Sequence, residues 1–594
     1  MVMYNRKLRY FWLRLLIAGM VCVFIATLFF VQVVEHDQHV REANAMRVKQ
    51  YELLAKRGEV YFTDGNGVSP AIMNERTWTV FVDPNFIIKN AGTNGVSSKE
   101  DVQKKLAEIL GDTVIVSWDK VWADEEDMYV EVAKNVDYET VSKIKEANLR
   151  GVGRKETSRR VYPNGTLGAQ LLGFMNAEGV GSGVEGALSE RLTGKNGMLK
   201  TVTDVNEIPL SVGDENIEIP AQDGESIVLT IDENVQRKVE KIIKDAVVGH
   251  NGGIGAASAL VMEPTTGKVL AMANYPTYNP GEYWKEKDAN VYVNRVTETP
   301  YEPASVCKPF TYAAAINEGK LNPDATYMNT GSTKVGDRVM NNAYGTATRN
   351  GVITFRKALD YSLNTGSIEV LRKLGDGTNI TKAARVTLYN YLHDSFGLGQ
   401  KTGVELYEAT GKVISPDDPS GEGNAVRYAN MTFGQGMNAT MLQVAAGFSS
   451  IINGGNYYTP TVIAGKYENG ELVKAEQKAA VRRTVSAGTS QEMRKMLMEV
   501  RSENGGDKDP SGYRVGVKTG TAETINPKTG QYWSGKTNAS ALGFGGANSD
   551  DALPSYVVMV RLDGETLLWG SLDAIPVFTE ISNYMLQYLR IEPK

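Results

Sequence analysis

The feature that most constrains this chain is a long apolar run, Leu15 to Val34, interrupted only by the uncharged Gly19, Thr27 and Gln32. At about 1.5 Å per helical residue the run reaches about 30 Å, one hydrocarbon thickness, and so reads as a transmembrane helix. Arg6, Lys7, Arg9 and Arg14 precede it and Glu35 and Asp37 follow. That asymmetry predicts a cytoplasmic N-terminus, with everything beyond residue 35 exported. A cleaved signal peptide is the competing reading, with Ala-x-Ala at Ala43 to Ala45. Signal cores are usually about 7 to 15 residues, and this Ala-x-Ala lies behind a charged stretch, so a retained single-pass anchor is favoured.

The remainder is globular in composition, with 42% hydrophobic and 23% charged residues in a chain of 594. That length allows two to four domains at about 150 residues each. A net charge of -6 gives no basic footprint for nucleic acid. Cys22 lies in the apolar run and Cys307 far away, so no structural disulfide is expected. His36 and His39 form the one close histidine pair and read as part of a solvated stalk, and no zinc-type ligand cluster is evident.

From His36 to Lys56 the spacing of Val40, Ala43, Met46 and Leu53 predicts a helical stalk. To about Gly224, strand-like "TWTVFVD" and "MYVEVA" mix with helical "DVQKKLAEIL" and "YETVSKIKEANL", which predicts an α+β module. A second domain opens with a strand and an acidic helix start at Asp232 and Glu233. It continues into "SALVMEPTTGKVLAMANY", two strands joined by a Thr-Thr-Gly turn. The expected division is 1–14 cytoplasmic tail, 15–34 membrane helix, 35–224 stalk and pedestal, and 225–594 catalytic domain.

Three short motifs carry the chemistry, and each also occurs as a decoy. Ser-x-x-Lys stands at Ser117, Ser142 and Ser305, but only Ser305 to Lys308 opens an apolar, helix-forming run that puts both residues on one face. A serine hydroxyl is a poor nucleophile until a base removes its proton, and a buried lysine of lowered pKa can be that base. Ser-x-Asn stands at Ser362 to Asn364 in a helical surround, and at Ser502 to Asn504 in what reads as a Gly-rich loop. Lys-Thr-Gly occurs at Lys401, Lys518 and Lys528. The middle copy, in "SGYRVGVKTGTAE", is expected to end a strand, with a glycine that lets a ligand approach the backbone, and Thr521 follows it.

Ser-x-x-Lys, Ser-x-Asn and Lys-Thr-Gly in this order are the signature of penicillin-binding proteins and related serine β-lactamases. The chain resembles a class B penicillin-binding protein over nearly its whole length. The likeness extends to "AKRGEVYFTDGNG", "RRVYPNGTLGAQLLGFMNAEGVGSGVEGALSERLTGKNG", "NRVTETPYEPASVCKPF", "FGLGQKTGVEL" and "MTFGQGMNATMLQVAAGFSSIINGG". The resemblance implies an α+β transpeptidase domain, an antiparallel sheet between helices, on an elongated pedestal. It implies a bacterial cell-membrane peptidoglycan D,D-transpeptidase that is acylated by β-lactams, with no cofactor and no metal. By the same resemblance Ser305 attacks the penultimate D-Ala carbonyl of a stem peptide and Lys308 is its base. Ser362 relays a proton to the leaving D-Ala, Asn364 binds the substrate amide and Lys518 adds positive potential. Thr519 and Thr521 hold the carboxylate, and the backbone N–H groups of Ser305 and Thr521, beyond Gly520, form the oxyanion hole. Expected partners are stem peptides, a polytopic glycan polymerase and other division proteins, with a division or sporulation role favoured by size.

Two positions depart from the family pattern, Ala304 in place of glycine and Cys307 between the serine and lysine. Cys307 is expected to pack away from the Ser/Lys face. "GQYWSGKT", 530–537, matches a nucleotide-binding P-loop, but a turn precedes it and a strand-like stretch follows, so it is set aside. The rival readings are a D-Ala-D-Ala carboxypeptidase, which shares the first half-reaction, and a catalytically idle cell-wall scaffold.

Overall fold

The computed structural model describes residues 2–36, 38–39, 48–65, 67–93, 95–176, 178–202, 217–343, 349–526, 529–549 and 552–593. It forms two compact units, Met1–Gly58 with Thr193–Gly224, and Glu59–Leu192 with Glu225–Lys594.

In the first unit, helix α1 (Val2–Phe29) continues through a π-helical turn, Phe30–Val34. Leu8–Val34 is the one span among the described residues long and apolar enough to cross a membrane. The expected helical stalk is corrected in part. Residues 40–47 lie outside the described residues, and Val48–Leu53 is a strand paired antiparallel with Gly197–Val202, which in turn pairs with Ile217–Ile219. A partner strand distant in sequence overrides the local helical spacing, which is a weak signal by comparison. Side chains fix the turns beside it: Asn196 Oδ1 accepts from the Ala55 amide at 2.9 Å and Asp223 Oδ1 from the Lys56 amide at 2.8 Å.

The second unit holds two large sheets. One runs Glu471–Lys474, Ile463–Glu468, Ile227–Asp232, Val60–Thr63, Val68–Val82, Val130–Val136, with Val152–Val161 also paired to Val68–Val82. Its pairings are antiparallel except that of Val60–Thr63 with Ile227–Asp232. The strands and helices expected in the pedestal are found: "TWTVFVD" falls in Val68–Val82 apart from its last residue, "DVQKKLAEIL" within Lys99–Leu110, and "YETVSKIKEANL" in Tyr138–Ala147 apart from its last two residues. Trp78, Val80, Val82, Leu106, Val132 and Ile144 close a core of their own.

The other sheet positions the site. Helix α2 (Glu233–Gly249) starts at Asp232, whose carboxylate caps the Asn234 and Val235 amides at 2.9 and 3.2 Å. Hairpin strands β1 (Ile254–Met262) and β2 (Val269–Tyr275) follow, then helices α3 (Lys308–Asn317), α4 (Phe355–Asp360), α5 (Asn364–Lys373) and α6 (Ala487–Glu503). Strands β3 (Tyr513–Ile525), β4 (Tyr532–Ala547) and β5 (Tyr556–Gly564) and helix α7 (Ile575–Tyr588) complete it. The strand order is β2-β1-β5-β4-β3, antiparallel throughout. Alternation along β1 explains the layering, since successive side chains on a strand point to opposite faces. Ala257, Ala259 and Val261 join α2 and α7 in one core, while Leu260 and Met262 join the helices of the other. The sheet is buried on both faces, with β3 at its edge beside the nucleophile segment.

Candidate active site

Pro303 leads into one 3-10 turn, Ala304–Cys307, that feeds directly into α3. Residues i and i+3 eclipse in a 3-10 turn, so Ser305 and Lys308 stand in line even though the α-helix begins only at Lys308. Ser305 is half-buried and Lys308 fully buried. Cys307 is buried in the helical core, as expected of a packing residue, and burial pushes its thiol well up. Ala304, where glycine was expected, has φ +55°, and its N–H donates to Gly434 O at 3.0 Å. A left-handed L-residue costs about 1–2 kcal/mol, so this turn is held by its surroundings. Gly434 is part of that hold, since a Cβ there would lie 2.3 Å from Ala304 O.

Ser362 occupies the tight link between α4 and α5, also with positive φ, +56°. Lys308 Nζ donates to Ser362 O and, at 3.2 Å, to Ser362 Oγ. Lys518 Nζ donates to the same Oγ at 2.9 Å and to Thr519 O at 3.0 Å. A hydroxyl has two lone pairs and one hydrogen, so with both lone pairs engaged the Ser362 hydrogen is directed away from both lysines. Burial pushes Lys308 well below the ordinary lysine range, and the neighbouring Lys518 adds to it. Burial lowers Lys518 to about 7, opposed by Asp360. A neutral lysine amine beside a serine is the condition for general-base chemistry.

The third element differs from expectation in one respect. β3 does not end at Lys-Thr-Gly but runs on through Ile525, because β4 pairs with it residue by residue from Tyr513 to Glu523. Gly520 serves close packing rather than open access: a Cβ there would meet Ser540 Oγ at 2.6 Å and Pro303 O at 2.9 Å. The glycine lets β3 lie against the turn that carries Ser305. Thr519 and Thr521 are half-buried, and Thr521 Oγ1 accepts the Gly570 N–H at 3.0 Å. Asn364 Nδ2 donates to Asn341 O at 2.9 Å.

Lys308, Ser362 and Lys518 therefore meet in one hydrogen-bonded cluster, with Ser305 on the same turn as Lys308, Gly520 and Thr521 alongside, and Asn364 at the start of α5. Sequence reasoning missed Asp360 and Gly570. Asp360 is buried, pairs with Lys357 at 2.7 Å and faces Lys518. Its position two residues before Ser362 was the available signal, whereas Gly570 carried none. Most decoys fall elsewhere. Ser117 and Lys120 are exposed, Lys145 is exposed, and Thr402 is tied to Glu408. Lys528 lies outside the described residues, and the P-loop match runs into β4, with no helix after it. Ser502 to Asn504 is not a loop, as expected, but the closing turn of α6.

A sheet between helices, with two buried lysines bonded to one half-buried serine beside a second serine on a strained turn, is the arrangement that serine acyl-transfer chemistry calls for. Residues 257–583 match the penicillin binding protein transpeptidase domain and residues 52–229 the penicillin-binding protein dimerisation domain. The chain belongs to the penicillin-binding proteins, in their class B branch. It is 31% identical over 564 residues to stage V sporulation protein D of Bacillus subtilis, covering 91% of this chain and 79% of that protein. It is 25% identical to the peptidoglycan D,D-transpeptidase FtsI of Escherichia coli, covering 96% and 91%. Among solved structures, apo penicillin binding protein 3 of Mycobacterium tuberculosis aligns at TM-score 0.60 and 28% identity, covering 74% of this chain and 92% of that one. Penicillin binding protein 2X of Streptococcus thermophilus shares the fold at TM-score 0.68 and 24% identity, covering 91% and 80%.

Proposed function

We propose that the chain is a membrane-anchored peptidoglycan D,D-transpeptidase working through an acyl-enzyme on Ser305, with β-lactams acylating the same serine. The observation that carries the residue roles is the Lys308–Ser362–Lys518 cluster. Neutral Lys308 takes the Ser305 proton as Oγ bonds to the penultimate D-Ala carbonyl carbon. The oxyanion forms opposite the N–H groups of Ser305 and Thr521. The C–N bond then breaks, and Ser362, its hydrogen aimed away from both lysines, passes a proton to the leaving D-Ala amine while Lys308 resupplies it. Asn364, its amide nitrogen held by Asn341, offers Oδ1 to the substrate N–H. Lys518, Thr519 and Thr521 receive the terminal carboxylate, and an amine of a second stem then displaces Ser305.

The basic residues before the apolar run support a cytoplasmic N-terminus and an exported catalytic domain. The likeness to the stage V sporulation protein and to the peptidoglycan D,D-transpeptidase FtsI supports a role in peptidoglycan synthesis during division or sporulation. The strand and capped helix from Ile227 support a catalytic domain beginning at about 225.

The two lysines set the pH dependence. Lys308 must be neutral to act as base, so acylation is lost as pH falls through its lowered pKa. Lys518 must be charged to attract the carboxylate, so acylation also declines as pH rises past about 7. The second-order rate of acylation by a penicillin is expected to follow a bell, whose alkaline limb disappears in Lys518→Met. A rate constant across this range would contradict the assignment.

A further inference from the structure

We propose that Asp573, braced by His250, is a positioning residue for carboxylate recognition: it locks the link between β5 and α7 so that the Gly570 N–H fixes the hydroxyl of Thr521. The inference rests on the acyl-serine reading and adds to it two side chains that lie outside the cluster around Ser305.

Thr521 Oγ1 accepts the Gly570 N–H at 3.0 Å. An N–H cannot accept, so the threonine hydroxyl is the acceptor in this bond and its single hydrogen is directed elsewhere. A carboxylate offers only acceptors, so a hydroxyl set in this way meets it with its hydrogen forward. The bond requires a close approach. Gly570 is buried against the neighbouring strands, where a Cβ would lie 2.5 Å from Gly520 O and 3.0 Å from Ser540 O.

The turn from Trp569 to Ala574 aims that N–H, and it is anchored at both ends. Before it, Thr537 of β4 holds Leu568 by two bonds, Oγ1 accepting the Leu568 N–H and donating to Leu568 O, both at 2.7 Å. At its far end Asp573 closes the turn on itself. Asp573 Oδ2 accepts the Trp569 N–H at 2.6 Å, and the Asp573 N–H donates to Trp569 O at 2.8 Å. The other carboxylate oxygen, Oδ1, lies 3.1 Å from His250 Nε2. His250 follows the last residue of α2, and its ring lies against Gly253, where a Cβ would meet Nδ1 at 2.5 Å. Gly253 donates to His250 O at 3.0 Å and accepts the Glu565 N–H at 2.9 Å. The histidine thus ties the turn to the α2–β1 connection, and Gly570 is aimed from outside the site. A pair this close to water adds little to global stability, so its loss is read at the site and not in unfolding.

The test uses the full chain in detergent micelles and two acylating agents, benzylpenicillin and its neutral carboxamide, which differ only at the group that Thr521 receives. The reading is the ratio of their second-order rate constants for acylation of Ser305. The parent is expected to favour the carboxylate. Asp573→Ala should narrow that preference about tenfold, the share of one hydrogen bond to a charged group, with the carboxamide rate changed by less than about twofold. Thr521→Val should narrow it comparably, and adding Asp573→Ala to Thr521→Val should narrow it no further, because both act through one bond. His250→Leu removes the outer brace alone and should narrow it about threefold, which keeps the test decisive if Asp573→Ala does not fold. A parent without the preference, a ratio unmoved in the two variants, or losses that add to that of Thr521→Val would overturn the positioning role and leave the acyl-serine reading intact. Failure of benzylpenicillin to acylate Ser305 in the parent would overturn both.

Discussion

Replacing Lys308 by methionine is expected to slow acylation of Ser305 by a penicillin by about 10²- to 10⁴-fold, the usual contribution of a positioned general base. Methionine keeps the length and apolar stem of the side chain and removes only the amine. Lys308 is fully buried, and among the described residues its amine bonds only Ser362 and forms no ion pair with a carboxylate. An amine in such a place is held neutral by its surroundings and costs stability whenever it is protonated. The variant should therefore fold at least as stably as the parent while losing its rate. That pairing separates a catalytic lysine from a structural one. Measured second-order constants that stay within a few-fold of the parent, with folding intact, would remove Lys308 from the mechanism.

The second large effect falls on stability. Arg501, near the end of α6, is 1% exposed, and its guanidinium bonds Asp509 at 2.8 and 2.6 Å, Thr579 Oγ1 at 2.9 Å and Asn504 O at 2.8 Å. It also lies 5.5 Å from the centre of the Phe578 ring. Through these bonds one side chain joins α6, the turn before β3 and α7, the elements that back the strand carrying Lys518. Arg501→Ala leaves the largely covered Asp509 carboxylate, 12% exposed, without its ion-pair partner, which costs about 3 kcal/mol, the lower end for a fully buried pair. Urea unfolding followed by tryptophan fluorescence should show this loss, and the double variant Arg501→Ala, Asp509→Ala should recover part of it, because the two residues are coupled. A loss below about 1 kcal/mol would mean that the pair is solvated in solution.

The site was more legible in the sequence than the architecture around it. Ser305, Lys308 and Lys518 could be picked from their decoys because each decoy lacked the local context, an apolar helical run after the serine or an alternating strand; Ser362 was told from Ser502 by a Gly-rich surround that read as a loop, although Ser502 in fact closes α6. The capped start of α2 and the β1–β2 hairpin were legible for the same reason, since caps and turns are written in adjacent residues. The features missed depend on partners far away in sequence. Val48–Leu53 is a strand because Gly197–Val202 pairs with it, and β3 passes through Lys-Thr-Gly because β4 pairs with its full length. Gly520 was assigned to ligand access because Pro303, the residue it makes room for, arrives from more than two hundred positions upstream. Asp360 and Gly570 acquire meaning only once the fold brings them to Lys518 and Thr521.

The central claim is that Ser305 becomes the acyl-enzyme. Intact-mass analysis of the full chain after incubation with a penicillin, beside Ser305→Ala, tests it most directly. The account predicts one drug-sized mass increase on the parent protein and none on the variant. No adduct on the folded parent, or an adduct that persists in Ser305→Ala, would contradict it.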